Sequence, residues 1–344
     1  MLAPTMPSSL SVHYSFSLSP GDTPEQAAHR LAIEQTAELP LAVIPEAALP
    51  MAGRVVSVAT VEGSRFVTEI ELPSEAAGAD LGQLFTLLFG NVSLLRGVRI
   101  ERIDWPSDFL AQFAGPRFGI AGLRALARVF DRPLLCGAAK PLGLSAHELA
   151  LRCEALARGG LDLVKDDHGL ADPPSAPWRE RVARCQEAIE RANAATGGHT
   201  LYVPHLAGPP SRLTERLAEA RALGVRAVLV APLPLGLGTV AQTVAKIAAT
   251  NEVALIAHPS LAGAFFTADH GVAPEVLLGD LFRLAGCDAV IYPHEGGRFP
   301  LTPRDTAALR DHLRRPLGTL APAFPVAAGG VDPARISQLV AALG

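Results

Sequence analysis

The sequence predicts an α/β protein with a small N-terminal ferredoxin-like α+β domain followed by a TIM-type β/α barrel. In the first third, the elements follow the order strand, helix, strand, strand, helix, strand, which is the ferredoxin-like arrangement. From Arg132 onward, short apolar strands alternate with alanine-rich helices, which indicates parallel β/α units. Polar residues follow several of these strands, where barrel enzymes place their chemistry. We therefore predict domains at 1–115 and 116–344.

Composition narrows the class of protein. Of the 344 residues, 49% are hydrophobic and 19% charged, which favours a large core over disorder. A net charge of −4 without a polybasic run argues against nucleic acid or an anionic membrane as partner. The sequence contains no signal-peptide pattern and no long apolar span, so we expect a cytoplasmic protein. Four widely spaced cysteines predict reduced core thiols: Cys136, Cys153, Cys185 and Cys287.

The N-terminal domain is predicted from alternation and capping signals. Strands are expected at 10–18, 55–61, 66–72 and 98–105, and helices at 23–36 and 81–89. Thr23 is the expected N-cap of the first helix, with Pro24 at its first position. The second and third strands form a hairpin around Glu62-Gly63-Ser64.

The barrel is predicted to contain seven strands. After a helix at 120–130, they are expected at 134–139, 161–164, 201–203, 227–230, 254–257, 289–292 and 324–327, before a last helix at 333–343. A TIM barrel requires eight strands. The alternatives are an unrecognised strand, a fragmentary chain, or a barrel that closes in another way.

Ionisable side chains collect where the strands end. The carboxyl ends of barrel strands form the floor of the active site, so we expect these side chains to converge. Lys165 and Asp167 are two residues apart and point the same way along an extended chain. The simpler interpretation is a charged loop in which an aspartate caps a helix. The candidates after the first, second, third, fifth and sixth strands are Lys140, Lys165, Asp167, His168, His205, His258 and His294.

Two glycine-containing loops are candidate anion sites. Gly329-Gly330 follow the seventh strand, and such a turn can direct backbone N–H groups at an anion. Gly296-Gly297-Arg298 follow the sixth strand and add a bidentate guanidinium. A plain turn and a surface arginine are the alternatives.

Several motifs together resemble one family, the large subunit of ribulose-bisphosphate carboxylase (rubisco). The similarity runs from about residue 12 to the end, in the family's order and spacing, which implies its fold. The motifs are Phe89-Gly90-Asn91-Val92, Gly115-Pro116-Arg117-Phe118-Gly119-Ile120, Lys140-Pro141-Leu142-Gly143-Leu144-Ser145, Gly159-Gly160-Leu161-Asp162, Lys165-Asp166-Asp167 and Trp178-Arg179-Glu180-Arg181.

The resemblance implies roles for the residues that match. Lys140 corresponds to a proton-transfer lysine, and His258 to an active-site histidine. Lys165 corresponds to a lysine that CO2 carbamylates and that holds Mg²⁺ together with an aspartate, here Asp167, and a glutamate. His168 occupies the glutamate position. A hard cation prefers oxygen ligands, whereas a mixed nitrogen and oxygen site suits Mn²⁺ or Zn²⁺.

The resemblance also implies a partner subunit. Glu34 and Asn91 match residues of the small domain that complete the active site of a neighbouring subunit. We therefore expect a homodimer or an assembly of dimers.

Departures from rubisco indicate its form IV, the rubisco-like proteins, rather than a CO2-fixing carboxylase. A phosphate-binding arginine is replaced by Pro259, and the mobile lysine is absent from the loop His294-Glu295-Gly296-Gly297-Arg298-Phe299. We expect enediolate chemistry on a sugar acid or sugar phosphate. The first choice is decarboxylation, or carboxyl transfer or hydrolysis, of a 3-oxo sugar acid, as in apionate breakdown. The alternatives are the 5-methylthioribulose-1-phosphate isomerase or diketo-methylthiopentyl-phosphate enolase of methionine salvage, and a non-catalytic binding scaffold.

Overall fold

The computed structural model describes residues 8–61, 65–299 and 301–343. The predicted turn at 62–64 therefore lies outside the described residues. Among the helices that are described, none is both long and apolar enough to cross a membrane.

The N-terminal part contains the predicted ferredoxin-like sheet. Its strands pair antiparallel in the order β4-β1-β3-β2, so the prediction of this fold is confirmed. The strands are β1 Ser9–Ser17, β2 Arg54–Thr60, β3 Arg65–Pro73 and β4 Val98–Asp104. The helices that follow β1 and β3 are α1 Pro24–Glu34 and α2 Leu81–Phe89, and α3 Ser107–Leu110 follows β4.

Local signals explain where the first two helices begin. The Thr23 hydroxyl accepts a hydrogen bond from the Gln26 N–H, and the Gln26 side chain accepts one from the Thr23 N–H, which forms a capping box. Asp80 caps α2 through the N–H groups of Gly82 and Gln83. The predicted cap at Thr23 and the start at Pro24 are confirmed, whereas the helix ends at Glu34 and not at residue 36.

Seven parallel strands form the barrel wall. The first three strands are hydrogen-bonded neighbours in chain order, and so are the fourth to the seventh. Leu206 N–H to Leu229 C=O and Leu229 N–H to Pro204 C=O, both 2.8 Å, join the third to the fourth. They are β5 Cys136–Ala139, β6 Leu163–Asp166, β7 Leu201–Val203, β8 Ala227–Val230, β9 Ala254–Ala257, β11 Ala289–Pro293 and β12 Phe324–Ala328.

All seven barrel strands were predicted, but two begin later. The second strand is Leu163–Asp166 and not 161–164, so Lys165 lies within the strand instead of after it. The first strand begins at Cys136 and not at residue 134. Within the described residues no eighth strand lies between β5 and β12, so both are edge strands. Cys136, predicted to be a core residue, is exposed because it lies on this edge.

Helices cover the outside of the barrel. Two segments, Val240–Val244 and Glu275–Leu281, are π-helical. The α-helices are α4 Gly119–Ala127, α5 Ala146–Arg158, α6 Trp178–Thr196, α7 Pro210–Ala222, α8 Pro232–Leu235, α9 Leu237–Thr239, α10 Ala245–Thr250, α11 Phe282–Leu284, α12 Pro303–Arg314 and α13 Ile336–Leu343. The 3₁₀ helices are Leu41–Val43, Glu46–Met51, Ser74–Ala76, Asn91–Leu94, Ala262–Phe265 and Pro333–Arg335.

Alternation along each strand divides the core into two layers. Leu163, Val203 and Ile256 belong to the cluster that fills the barrel interior. Val164 and Tyr202 belong to the cluster between the strands and the helices. Side chains two residues apart share a face of a strand, so each strand position is assigned to the interior or to the helix layer.

A strand from the barrel half extends the N-terminal sheet, which the sequence did not predict. β10, Gly271–Val272, pairs parallel with β4. Gly271 has a φ of +113°, and a Cβ atom there would lie 2.0 Å from the Phe265 carbonyl oxygen. Only glycine fits this backbone, so the pairing of β10 with β4 requires glycine at position 271.

We expect Gly271→Ala to lower the free energy of unfolding by roughly 2–4 kcal/mol, from backbone strain plus the clash with Phe265. Urea unfolding followed by circular dichroism measures this loss. Gly263→Ala is the matched control, because a Cβ atom there meets nothing within 4 Å. Equal stabilities of the two variants would contradict the proposed role of Gly271.

Candidate active site

Four of the predicted side chains share the interior face of their strands. Lys165 is two residues beyond Leu163, and it pairs in register with Ala138 and Val203. By the same alternation, Lys140 continues the face of Ala138, His205 that of Val203, and His258 that of Ile256. These side chains therefore meet at the carboxyl ends of the strands.

Asp167 links the first two strands. The Lys140 Nζ atom lies 3.6 Å from Asp167 Oδ1. The same oxygen accepts a hydrogen bond from the His168 N–H at 3.0 Å and lies 3.1 Å from His168 Nδ1. Burial by itself raises the pKa of Asp167, but Lys140, His168 and Lys165 outweigh it and hold this pKa below its usual value. Asp167 is therefore a carboxylate with two lysines and a histidine beside it.

Lys165 is the more buried of the two lysines. Its Nζ donates to the Asp166 carbonyl oxygen at 3.1 Å. Burial lowers the pKa of Lys165, and the charge of Lys140 lowers it further. A lowered pKa increases the fraction of neutral amine, which is the form that acts as a base or nucleophile.

His258 is held in one tautomer. Its Nδ1 accepts a hydrogen bond from the Ser260 N–H at 3.2 Å, and the Ser260 hydroxyl lies 2.7 Å from the same atom. The proton is therefore on Nε2. The ring stacks on His168 with centroids 4.2 Å apart. Burial, with His168 second, lowers the pKa of His258 to about 3, so it is a neutral donor at pH 7.

His205 is buried without a partner for its ring. The residue is 5% exposed, and neither ring nitrogen has a hydrogen-bond partner in the described part of the chain. Burial, followed by the charge of Arg181, lowers its pKa to about 4. A buried polar ring without partners is costly unless it meets a ligand or water.

His294 does not join this group. Its Nδ1 lies 2.6 Å from the Glu295 carbonyl oxygen, and the residue is 2% exposed. His294 is two residues beyond Tyr292, whose side chain packs in the helix layer, so both side chains lie on the same face of the strand. Pro293, between them, lies on the interior face. The expectation that all strand-end histidines converge was therefore wrong for His294, because one residue along a strand reverses the face.

The two glycine loops do come together. The Arg298 N–H donates to the Gly329 carbonyl oxygen at 2.9 Å. A Cβ atom on Gly297 would lie 2.7 Å from that oxygen, so the approach requires glycine. The Arg298 guanidinium lies over the Phe299 ring, 5.7 Å from its centroid. Gly296 and Gly330 have left-handed φ angles of +65° and +105°, which side chains rarely adopt.

Glu34 and Asn91 lie on the N-terminal part. Asn91 Nδ2 donates to Glu34 Oε1 at 3.1 Å, and both residues are exposed. Among the described contacts, neither side chain reaches one of the barrel candidates.

Sequence reasoning missed a buried group on the opposite face of β6. Asp166 and Arg181 form an ion pair in which both side chains are 0% exposed. The alternation of β6 was a signal for it, since Asp166 must point away from Lys165. Ser260, which orients His258, had no comparable signal.

The family resemblance implies a divalent cation, and its candidate ligands are Lys165, Asp167 and His168. In the described residues, no three His, Cys, Asp or Glu side chains are grouped as metal ligands. Asp167 Oδ2 and His168 Nε2 have no protein partner there, since the contacts use Oδ1 and Nδ1. By donor chemistry, one oxygen and one nitrogen are what a Mn²⁺ or Zn²⁺ site would use, with a carbamate on Lys165 as its third ligand.

The ferredoxin-like sheet, the parallel barrel and the paired lysines at one rim define the rubisco class of barrel proteins. Residues 119–299 match the ribulose bisphosphate carboxylase large chain, catalytic domain. The chain belongs to this family, in its rubisco-like form IV branch.

Named relatives cover nearly the whole chain. It is 40% identical over 335 residues to ribulose bisphosphate carboxylase-like protein 1 of Rhodopseudomonas palustris, covering 97% of this chain and 89% of the relative. It is 39% identical to a 5-methylthioribulose-1-phosphate isomerase of Rhodospirillum rubrum, covering 93% and 84%. A crystal structure of a Rubisco-like protein from Rhodopseudomonas palustris superposes with a TM-score of 0.91 at 39% identity, covering 99% and 92%.

The two histidines with lowered pKa predict a loss of stability in acid. The folded pKa values of His205 and His258, about 4 and 3, lie below the unfolded value of about 6.5. Below pH 6.5 the unfolded chain therefore binds more protons than the folded chain. The contribution of the two neutral histidines to the free energy of unfolding is fully present above that pH and is lost as the pH decreases. Allowing for solvent at the rim, each histidine accounts for about 1 kcal/mol between pH 6.5 and 5.

Urea unfolding across this pH range measures the effect. His205→Gln and His258→Gln should each flatten the dependence, while His29→Gln, on the exposed face of α1, should leave it unchanged. If His205→Gln and His258→Gln both keep the wild-type dependence of the unfolding free energy on pH, neither ring is held neutral.

Proposed function

We propose that this chain is an enzyme that forms or consumes an enediolate next to the carbonyl group of an anionic sugar derivative. The observation that carries this proposal is the meeting of Lys140, Asp167, Lys165, His205 and His258 at one barrel rim. Proton removal next to a carbonyl requires a base and a donor for the developing oxyanion. This rim supplies both.

Each side chain has a role that suits its environment. Lys140, which is half-exposed and 3.6 Å from Asp167, transfers the proton at carbon, so that the C–H electrons move to the carbonyl oxygen. The Nε2–H group of His258 donates to that oxygen as its charge grows. The His205 ring, which is neutral and has no partner within residues 8–61, 65–299 and 301–343, binds a substrate hydroxyl.

A metal ion would be held by Asp167 Oδ2, His168 Nε2 and carbamylated Lys165. When bound, such a cation supplies Lewis-acid polarisation of the carbonyl. His168 also orients the site without a metal, because it stacks on His258 and contacts Asp167.

The substrate carries an anionic group. Arg298 and the glycines at 296–297 and 329–330 are the candidate anion-binding groups: the guanidinium supplies positive charge, and the two loops meet where the Arg298 N–H donates to the Gly329 carbonyl oxygen. Binding of a phosphate or carboxylate there would direct the carbonyl of a short sugar toward the lysines.

A ketose phosphate is the first candidate substrate. The relative that is 39% identical over 93% of this chain is named 5-methylthioribulose-1-phosphate isomerase, and isomerisation passes through an enediolate. The related enolase reaction of methionine salvage uses the same intermediate class. This ranking reverses the expectation from sequence, which favoured a 3-oxo sugar acid.

A 3-oxo sugar acid is the second candidate, favoured by His168. Loss of CO2 breaks the bond between the carboxyl carbon and the adjacent carbon and leaves its electrons in the same enolate. This route requires less from a hard metal ion, which suits a histidine in place of an oxygen ligand.

A second copy of the chain would complete the site. Glu34 and Asn91 contact each other on an exposed surface, away from the barrel candidates of their own chain. A homodimer that placed this pair at the partner's rim would use them. A non-catalytic scaffold would bind sugar phosphates without turnover, which the next experiment detects.

Lys140→Ala should lower kcat by at least about 100-fold, because it removes the proton-transfer group. Turnover is assayed on 5-methylthioribulose-1-phosphate and on a panel of 3-oxo sugar acids. Lys246→Ala is the control, since this lysine is exposed on α10 and donates to Gln242. Full activity of Lys140→Ala would remove Lys140 from the mechanism, and binding without turnover by the wild type would favour the scaffold.

His168→Glu should raise the affinity for Mg²⁺ relative to Mn²⁺ by about tenfold, because an oxygen ligand replaces nitrogen. Calorimetric titrations with each ion, with and without CO2, measure the ratio. Lys165→Ala should abolish any dependence on CO2. If the ratio is the same in wild type and variant, His168 is not a ligand.

A further inference from the structure

The outward face of β6 carries a carboxylate with no role in the chemistry proposed above. Asp166 is 0% exposed and lies between the strands and α6. Its neighbours in sequence, Lys165 and Asp167, point to the interior. A buried charge in this layer requires several partners to offset its desolvation, and Asp166 has them.

The two carboxylate oxygens of Asp166 have different partners. Oδ2 accepts from Arg181 Nε at 3.1 Å and from the backbone N–H of His205 at 3.0 Å. Oδ1 accepts from the Tyr202 hydroxyl at 2.7 Å. Trp178 Nε1 donates to the His205 carbonyl oxygen at 3.1 Å. The backbone of His205 is thus held at both its N–H and its C=O.

Arg181 holds the loop that follows the reactive strand end. It donates to the carbonyl oxygens of Ala176 at 2.7 Å, Leu170 at 2.8 Å and Ala171 at 2.9 Å. These carbonyls belong to the connection between β6 and α6. One guanidinium therefore joins the end of β6 to the loop that continues from His168.

We infer that Asp166 and Arg181 are positioning residues, which hold His205 and the 165–168 strand end in the geometry that the reaction requires. This inference rests on the proposed function. Strand alternation supplies the mechanical reason: with Asp166 fixed outward, Lys165 and Asp167 must face the interior. Through Oδ2, the same carboxylate sets the position of His205, whose ring has no hydrogen-bond partner among the described residues.

The opposite end of the same strand provides a matched control. Asp162 is 7% exposed and accepts from Arg132 Nη1 at 2.6 Å, Arg132 Nη2 at 2.8 Å and the Leu135 N–H at 2.7 Å. It is also an aspartate paired with arginine, but it lies where the strand begins, away from the rim. Asp162→Asn therefore perturbs the fold in a similar way without touching the reacting groups.

The test compares Asp166→Asn, Asp166→Asn/Arg181→Gln and Asp162→Asn in the full-length protein. The double variant leaves no uncompensated buried cation and guards against failure to fold. With the substrate that the wild type turns over, we expect both Asp166 variants to lower kcat at least tenfold with KM changed less than threefold. Asp162→Asn should keep wild-type kcat even where its melting temperature falls.

A second measurement requires no substrate. The ring ¹⁵N signals of His205, identified by their loss in His205→Gln, should shift or split in the Asp166 variants and stay unchanged in Asp162→Asn. If the wild type turns over no substrate but these signals move, the proposed function fails while the positioning role stands. Wild-type kcat in a folded Asp166 variant, or unmoved His205 signals where no turnover exists, would overturn the inference.

Discussion

Side-chain alternation along seven short parallel strands is the constraint on which this site depends. The barrel strands contain three to five residues each, so each offers the interior only a few positions. Lys140, Lys165, His205 and His258 continue the interior positions beyond the apolar core. Asp166 and Tyr202 occupy the opposite face, where they bond to each other. The same alternation thus separates the reacting groups from the groups that hold them.

The charge distribution at the rim follows from how deeply each group lies. The chain contains three lysines, and two of them meet beside the Asp167 carboxylate. Burial lowers the pKa of Lys165 and keeps His205 and His258 neutral. The rim therefore combines charged and neutral nitrogen donors around one carboxylate, which suits a substrate that develops negative charge during the reaction.

His168 occupies the position where the family resemblance implies a glutamate ligand. It contacts Asp167 and stacks on His258, so it links the second and fifth strands as well as offering a nitrogen to a cation. Glu34 and Asn91 lie outside this group of barrel residues, because they pair on an exposed surface of the N-terminal part. A site with these properties is shared between strands and, in our proposal, between subunits.

The sequence by itself determined both fold types, the seven barrel strands and the strand-end candidates, because apolar periodicity and position along a strand are local properties. It did not determine that His294 faces the helix layer, since one residue of register reverses the face. The pairing of β10 with β4, the Asp166–Arg181 ion pair and the tautomer of His258 were decided only by the tertiary structure. Each joins segments distant in sequence or depends on loop geometry; the alternation of β6 indicated that Asp166 faces away from Lys165, but not that it meets Arg181. The tertiary structure also decided that β5 and β12 are edge strands in the described part of the chain, because strand order is a property of the assembled sheet.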